Sequence, residues 1–571
     1  MKIVLAAVNA KYIHSNLGIR YLKAYAQELD LNIEIMEFSI NDSREKVIQQ
    51  LILAKADIIG FSCYIWNIEY IQYLSTHIKL INPGCIIIYG GPEVSFDPFM
   101  QLNNNAGDII IEGEGEETFF ELMELWKTSK VNEFLEDATN SKIKGLYTKL
   151  NGEIHYNGVR DLMDMNKVKF PYDTLNELEN KIVYFEASRG CPFLCKYCLS
   201  STSHGVRFKS IETVRQELDF FIENKVKLVK FVDRTFNCNK KFAMDIWGYL
   251  IEKNPSTKFH FEISADLLSL EEIQLLSKAR AGLFQFEVGV QSTNREVLKN
   301  INRFVNFDDI NIKVNEIKAM NNISQHLDLI AGLPGEDLES FKNSFNQVYS
   351  IQPEEIQLGF LKLLKGSKMR DEAVEWGMLY SPYAPYEILK TNNLSYSDLI
   401  KLKRIEEVLD KYYNSNKFKN ILNYFLPKFD SAFDFYLKLS EFFYINGYLN
   451  RNISFADYYK IFIEFHEDTI SEDSLLLKEI IKFDYLIHNK KKWLPEFLLR
   501  DINKDVEKKI KGEIRKKGFV SLENCHIEKF YVNLYKYFKS GFFENGEFYL
   551  LFNEQGDIYT NDGEENFTIW R

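Results

Sequence analysis

Three of the seven cysteines in this chain of 571 residues stand within eight positions, Cys191-Pro-Phe-Leu-Cys195-Lys-Tyr-Cys198, with Gly190 just before them. Three residues separate the first pair and two the second, a metal-cluster spacing. A four-iron cluster takes a thiolate on each iron, and one short loop offers only three, so one iron keeps an open position for a chelating ligand. Structural zinc takes four protein ligands, commonly as two CxxC pairs, and the nearest further cysteine, Cys238, has no such partner. Disulfides do not suit clustered thiols in a chain whose first residues read as a strand rather than a signal sequence. Packing gives three cysteines no reason to share this spacing. The thiols follow directly on an apolar run, 182–188, that reads as a buried strand.

That strand belongs to a repeating pattern. From 181 to about 375 six strand-then-helix units are legible, with strands at 183–187, 228–232, 259–264, 283–289, 327–331 and 355–361 and helices that include 211–223 and 337–349. A closed barrel needs eight such units, so a partial (β/α)6 barrel follows, open on one side, with its active site at the C-terminal strand ends. Upstream, residues 1–130 alternate strand candidates at 2–8, 33–38, 57–62, 85–89 and 108–112 with amphipathic stretches such as 17–29 and 44–54. That alternation predicts a doubly wound, Rossmann-like parallel sheet, in which ligands sit beyond the strand ends where strand order reverses. Residues 131–180 read as a connector containing a hairpin, with Asn151-Gly152 suited to a type I′ turn. Residues 376–571 read as a mainly α-helical substrate or lid domain ending in a β-hairpin. Its aromatic residues recur at helical spacing in 396–409, 431–444 and 453–465, and the hairpin pairs 546–552 with 554–559. The whole is an α/β chain.

The cysteine motif, with the aromatic Tyr197 just before its third thiol, resembles the radical S-adenosylmethionine (radical SAM) superfamily. The resemblance implies a 4Fe-4S cluster on Cys191, Cys195 and Cys198, whose open iron is chelated by SAM, and reductive cleavage of SAM to a 5′-deoxyadenosyl radical. It also implies a SAM site built from strand ends. Asp233 in Phe231-Val-Asp233-Arg234-Thr235, and Glu262 with Ser264, match the positions that meet the SAM amino group and ribose. Glu287 and Gln291 match the fourth-strand motif, and Arg303 is placed to pair the methionine carboxylate. Gly332 and Leu333, in Gly332-Leu-Pro334-Gly335-Glu336, match the motif that packs on adenine, while Tyr197 completes the set.

The strand ends of the N-terminal sheet carry Ser62-Cys63-Tyr64-Ile-Trp66, then Gly90-Gly91-Pro92-Glu93, then Glu112-Gly113-Glu114-Gly115-Glu116. Paired glycines let a backbone pass close to a flat or bulky ligand. Ahead of a radical SAM core, these three ends resemble the cobalamin-binding domain of the cobalamin-dependent radical SAM enzymes. The resemblance implies a cobalamin site at Tyr12, His14, Ser62, Cys63, Tyr64, Trp66, Gly90, Gly91, Glu93, Glu112, Gly113 and Gly115. One departure bears on the cobalt. Proteins that supply a histidine as lower axial ligand carry Asp-x-His-x-x-Gly; here no Asp stands two before His14, and Gly18 lies four beyond it. His14 thus stands open between ligation and a capping or hydrogen-bonding role.

Composition bounds the rest. Net charge is −12, with 82 acidic against 70 basic residues, which argues against a surface that tracks nucleic acid throughout. A local excess of six positives at 490–517 reads as a solvated helical face, leaving nucleic acid as a less favoured partner. An apolar fraction of 46% with no run of about 18 apolar residues excludes a spanning helix. A cytoplasmic enzyme is the resulting expectation. The resemblance further implies an electron donor such as flavodoxin or ferredoxin, and methylation of an unactivated carbon through methylcobalamin. Three alternatives stand beside it: a non-methylating oxidation, cyclisation or ring contraction; a tRNA methylthiotransferase; and a non-catalytic cofactor-binding sensor or scaffold. The methylthiotransferase family carries three cluster cysteines in its N-terminal domain, where this chain has only Cys63 and Cys85.

Overall fold

In a computed structural model, the structure describes residues 2–202, 205–470, 474–489, 493–498, 500–516, 525–542, 544–553, 556–561 and 567–569. The chain divides into two compact units, 1–353 with 357–399, and 354–356 with 400–571.

In the first unit, β1 (Lys2–Asn9), β2 (Asn32–Ser39), β3 (Ile58–Ser62), β4 (Ile86–Gly90) and β5 (Ile109–Ile111) form a parallel sheet in the order β2-β1-β3-β4-β5. The inner strands β1, β3 and β4 are largely apolar on both sides because helices cover both faces, as buried parallel sheets require, while the edge strand β2 carries Glu34 and Glu37. One face packs Val47, Leu51, Ile71 and Leu74 of the helices Arg44–Leu53 and Ile68–Ile81; the other packs Phe119, Leu122 and Trp126 of Glu116–Thr128. Strand order reverses between β1 and β3, which opens a crevice at their carboxyl ends. The hairpin read as part of a connector extends this sheet: β6 (Leu146–Leu150) pairs antiparallel with β5, and β7 (Glu153–Tyr156) pairs with β6.

β8 (Val183–Phe185) begins the second sheet, and β9 (Ser188–Gly190) and β10 (Val206–Phe208) form a small antiparallel ribbon that brackets the cysteine loop. β11 (Leu228–Phe231), β12 (Lys258–Ile263), β13 (Phe284–Gln291), β14 (Ser324–Ala331) and β15 (Glu355–Phe360) complete an open six-stranded sheet in the order β15-β14-β13-β12-β11-β8. Its helices begin with conventional caps. Ser269 and Glu272 form a capping box, and Asp337 accepts from Ser340 N. Phe231, Phe236, Phe261, Phe286 and Trp247 pack edge-to-face or tilted beneath the strands.

Aromatic spacing predicts the helices Tyr396–Leu409, Ala432–Ile445 and Phe455–Thr469, and the second unit adds the helix Leu475–His488. Tyr412, Phe418, Phe425 and Phe462 meet in its core. Buried Asp484 accepts from Asn420 N and Ile421 N, each at 3.1 Å, and so caps the helix Lys419–Phe425. The terminal hairpin is the middle of a four-stranded antiparallel sheet: β18 (His526–Val532), β19 (Asn545–Phe552), β20 (Ile558–Asn561) and β21 (Phe567–Ile569), following the short pair β16 (Leu379–Tyr380) and β17 (Ile388–Lys390) of the first unit. Residues 554 and 555 of that hairpin, and 490–492, 499 and 517 of the basic stretch, lie outside the described residues. Among the described residues no helix is long and apolar enough to cross a membrane.

Candidate active site

The cysteine loop leaves β9 through Gly190, whose φ of +101° and carbonyl-crowded position admit no side chain, since a Cβ would lie 2.1 Å from Gly205 O. Backbone contacts then set the loop: Lys196 N donates to Ile301 O at 3.0 Å, Cys198 N to Cys195 O at 3.1 Å, and Asn302 Nδ2 to Leu194 O at 2.8 Å. Cys191 Sγ lies 3.5 Å from Thr235 Oγ1 and Cys195 Sγ 3.9 Å from Arg303 Nη1. All three thiols are free. Among the described residues no three His, Cys, Asp or Glu side chains gather around a single ion, and a four-iron cluster, with one thiolate per iron, does not ask for that. Burial raises the Cys195 thiol pKa and Arg303 opposes it.

Arg303 Nη2 donates to Gly289 O at 2.5 Å, where β13 bulges and Gln291 takes a φ of +70°. A Cβ at Gly289 would sit 2.4 Å from Gln291 Nε2. Gln291 Oε1 and Arg303 Nε are buried without a partner. These orphaned polar atoms, beside the thiols, fit a ligand that carries its own amino and carboxylate groups, as SAM does. Tyr197 is half-buried here; desolvation raises its pKa, while Arg303 lowers it. Burial raises the Glu262 pKa to about 7, against the pull of Arg234. Gly332, at φ +90°, lies against Ile388, and Leu333 is buried.

Three expected SAM residues are committed to the protein. Asp233 accepts from Ala187 N at 3.0 Å and Ser188 Oγ at 2.5 Å, clasping β11 to β8. Glu287 is held by His260 at 2.9 Å and Lys230 at 3.0 Å; burial opposes ionisation, but these partners lower its pKa to about 2. Ser264 Oγ donates to Asp266 at 2.5 Å.

The crevice of the first sheet opens into a cavity of about 560 Å³. Ser62, Tyr64, Gly90, Gly91, Gly113 and Gly115, all among the expected cobalamin residues, line it. Gly91 has φ +109°, and a Cβ would meet Cys63 O at 2.7 Å; at Gly113 (φ +69°) a Cβ would point into open space. This glycine floor fits a wide flat ring. Asn67 shapes the crevice by donating to Val8 O and Ser62 O, both at 2.9 Å, and Asn16 Nδ2 holds Ser62 Oγ at 3.0 Å.

The remaining expected cobalamin residues do not line the cavity. His14 Nδ1 is 2.7 Å from Tyr184 OH, and burial lowers its pKa, with Lys11 and Lys230 adding to the effect. Tyr12 is 71% exposed beneath Lys181 Nζ. Cys63 is buried, Trp66 stacks on Tyr64 at 4.3 Å, Glu93 pairs with Lys365 at 2.9 Å and bonds Tyr386, and Glu112 accepts from Tyr156 OH at 2.7 Å. These contacts between distant residues are ones that glycine-pair spacing cannot reveal.

Several residues at the site escaped the sequence reading. Arg189 pairs Glu116 at 2.5 Å and Glu186 at 2.8 Å, and lies 3.8 Å from Glu114; Arg207 Nη1 also reaches Glu114, at 3.1 Å. The acids between the glycines thus bind the sheet to the barrel. Arg234, inside a quoted motif but unassigned, lines the cavity on the barrel side with Leu199 and Ser200. A cation directly after a strand-end carboxylate was the available signal.

Comparison with known proteins agrees with this layout. Residues 3–123 match the B12 binding domain, 185–348 the Radical SAM superfamily, and 374–552 the family described as Protein of unknown function (DUF4080). An uncharacterized methyltransferase of Pyrococcus horikoshii is 26% identical over 64% of this chain and 79% of its own length. The cobalamin-dependent radical SAM methyltransferase TokK of Streptomyces tokunonensis is 22% identical over 52% of this chain, which spans 45% of that protein. The solved structure of the radical SAM methyltransferase TsrM from Kitasatospora setae, with cobalamin and a 4Fe-4S cluster bound, shares the fold at a TM-score of 0.54 and 14% identity, covering 67% of this chain and 76% of its own. A crevice with a glycine floor and a three-thiol loop at the mouth of a partial barrel, in one compact unit, thus coincide with a B12-binding domain and a radical SAM domain, and the chain is a cobalamin-dependent radical SAM protein.

Proposed function

We propose that this chain methylates an unactivated carbon of a substrate held between its two cofactor sites. When bound, the cluster and SAM supply a 5′-deoxyadenosyl radical and cobalamin supplies a transferable methyl group. The supporting observation is that one cavity runs from Gly90 and Gly91 at the sheet to Leu199 and Ser200 just beyond the cysteine loop, so a substrate within it faces both sites. Holding both reactants at one carbon is a positioning task.

The residues divide that task. Cys191, Cys195 and Cys198 are the cluster thiolates. Arg303, anchored on Gly289 O, is directed at the SAM carboxylate, and Gln291 and Glu262 at its other polar groups. Gly90, Gly91, Gly113 and Gly115 receive the corrin with Ser62 and Tyr64. His14, bonded to Tyr184, would position the loop beside the cobalamin site rather than hold the cofactor. The reductant is a flavodoxin or ferredoxin, and the compartment the cytoplasm.

Anaerobically reconstituted protein given SAM, cobalamin and reductant should form 5′-deoxyadenosine, and Cys191→Ala should form none. Substrate turned over with methyl-labelled SAM should carry the label. An unlabelled product assigns a non-methylating radical reaction instead, and absence of 5′-deoxyadenosine from the parent protein reduces the chain to a cofactor-binding scaffold.

A further inference from the structure

We infer that Arg234 anchors an anionic group of the substrate, a carboxylate or a phosphate; this rests on the methylation reading above. Arg234 stands between two residues that the fold holds fast. Asp233 is clasped by Ala187 N and Ser188 Oγ, and Thr235 meets Cys191 Sγ through its hydroxyl and Cys238 N through its carbonyl. The backbone at the end of β11 is therefore fixed, and Arg234 projects from it as a lining residue of the cavity.

The other charged residues lining that cavity are neutralised by the protein. Glu114 pairs with Arg207, and both Glu116 and Glu186 pair with Arg189. Among the described lining residues, Arg234 is the one charged group with neither a hydrogen bond nor an ion pair. Its side chain is exposed, and it lines a cavity to which residues of both sheets contribute. Burial lowers its pKa, while Glu262, Cys198, Tyr64 and Glu186 together hold it above the usual value. Those neighbours place the guanidinium between the cysteine loop and the end of β3, where a substrate facing both cofactors would lie.

An arginine stays charged at any working pH, and its planar fork matches a carboxylate or phosphate bidentately. A neutral substrate filling this cavity would strip water from the guanidinium without replacing it, which is costly. SAM has a separate arginine for its carboxylate: Arg303 sits at Cys195 Sγ. Arg234 thus selects for an acidic substrate and sets which of its carbons faces the radical.

The test uses the holoenzyme loaded with cluster, cobalamin and SAM. Phenylglyoxal modification, mapped by peptide mass spectrometry, should label Arg234, and acetate or inorganic phosphate, but not chloride at equal ionic strength, should protect it. Stronger protection by acetate identifies a carboxylate, and stronger protection by phosphate identifies a phosphate. Labelling of Arg234 that appears only when SAM or cobalamin is left out of the reconstitution assigns it to a cofactor and overturns the inference, as does equal labelling of the holoenzyme with and without the two oxyanions. In turnover of a cell extract with methyl-labelled SAM, the labelled product should be retained by an anion exchanger. Arg234→Gln should raise KM about tenfold or more, with Arg234→Lys intermediate, while cobalamin content, iron content and SAM affinity stay at parent values. A neutral labelled product, or an unchanged KM in Arg234→Gln, overturns the anion anchor and leaves the methylation reading standing. Absence of 5′-deoxyadenosine from the parent protein overturns both.

Discussion

Glu336 ends the Gly-Leu-Pro-Gly-Glu run after β14, and its carboxyl is 1% exposed. Ser292 Oγ donates to its Oε1 at 2.6 Å, while Oε2 has no partner. Burial raises its pKa to about 8, against the Ser292 and Ser344 hydroxyls. The fold therefore keeps this acid protonated, whereas the unfolded chain ionises it at an ordinary carboxyl value. A raised pKa of this kind contributes stability that is complete below the unfolded value and is lost as pH rises through about 8. Glu336→Gln, neutral at every pH, should flatten the fall in urea midpoint between about pH 5 and 8 and be on the order of 2 kcal/mol more stable than the parent at the upper end. Asp233 and Asp484, both raised to about 7 by burial, leave some slope in the variant. Parallel pH curves for parent and variant would show that Glu336 is ionised in the fold.

Between elements, Arg189 of β9 is the join between the sheet and the barrel. Its side chain, 13% exposed, faces Glu114 from the loop after β5, Glu116 at the start of the helix Glu116–Thr128 and Glu186 just beyond β8, and covers the Tyr21 ring. Removing it strands Glu116 and Glu186 in a crowded space, while Glu114 keeps Arg207, a loss of about 3–5 kcal/mol for a broken buried pair. Arg189→Met should show that loss in chemical unfolding and Arg189→Lys a smaller one, since one ammonium cannot fork between Glu116 and Glu186; a loss under about 1 kcal/mol in Arg189→Met would mean water already screens the network. This join also marks where sequence reading stopped. Ile58–Ser62 and Leu228–Phe231 fall within a residue of the runs read as strands: the first is buried along its whole length, and the second alternates buried Val229 and Phe231 with less buried Leu228 and Lys230. The thiols, Gly90, Gly91 and Gly113 were legible because spacing and glycine each carry a backbone requirement. An ion pair between residues 73 apart leaves no local period, so Arg189 went unread. For the same reason nothing in the sequence signals that Lys365 and Tyr156 hold Glu93 and Glu112, beside the glycines.

Over the whole chain, every thiol and glycine assigned to a cofactor falls in the first compact unit, and 400–571 contributes none. A ligand stabilises only the unit whose folded form binds it, by an amount that grows with the logarithm of its excess over Kd. At a free cobalamin concentration a hundredfold above Kd, that amount is about 2.7 kcal/mol. Calorimetry of the full chain should therefore resolve two transitions, only one of which moves up with added cobalamin. Hydrogen exchange under the same conditions should slow at the amides of β1, β3 and β4 and stay unchanged in the helices Ala432–Ile445 and Phe455–Thr469. Each unit supports this independence with a core of its own: Ile59, Ile71 and Leu74 close one face of the first sheet, and Phe425, Phe435 and Phe462 pack together in the second unit. A single transition that shifts as a whole would mean that the two units unfold as one, and that the helical unit shares the stability gained at the cobalamin site.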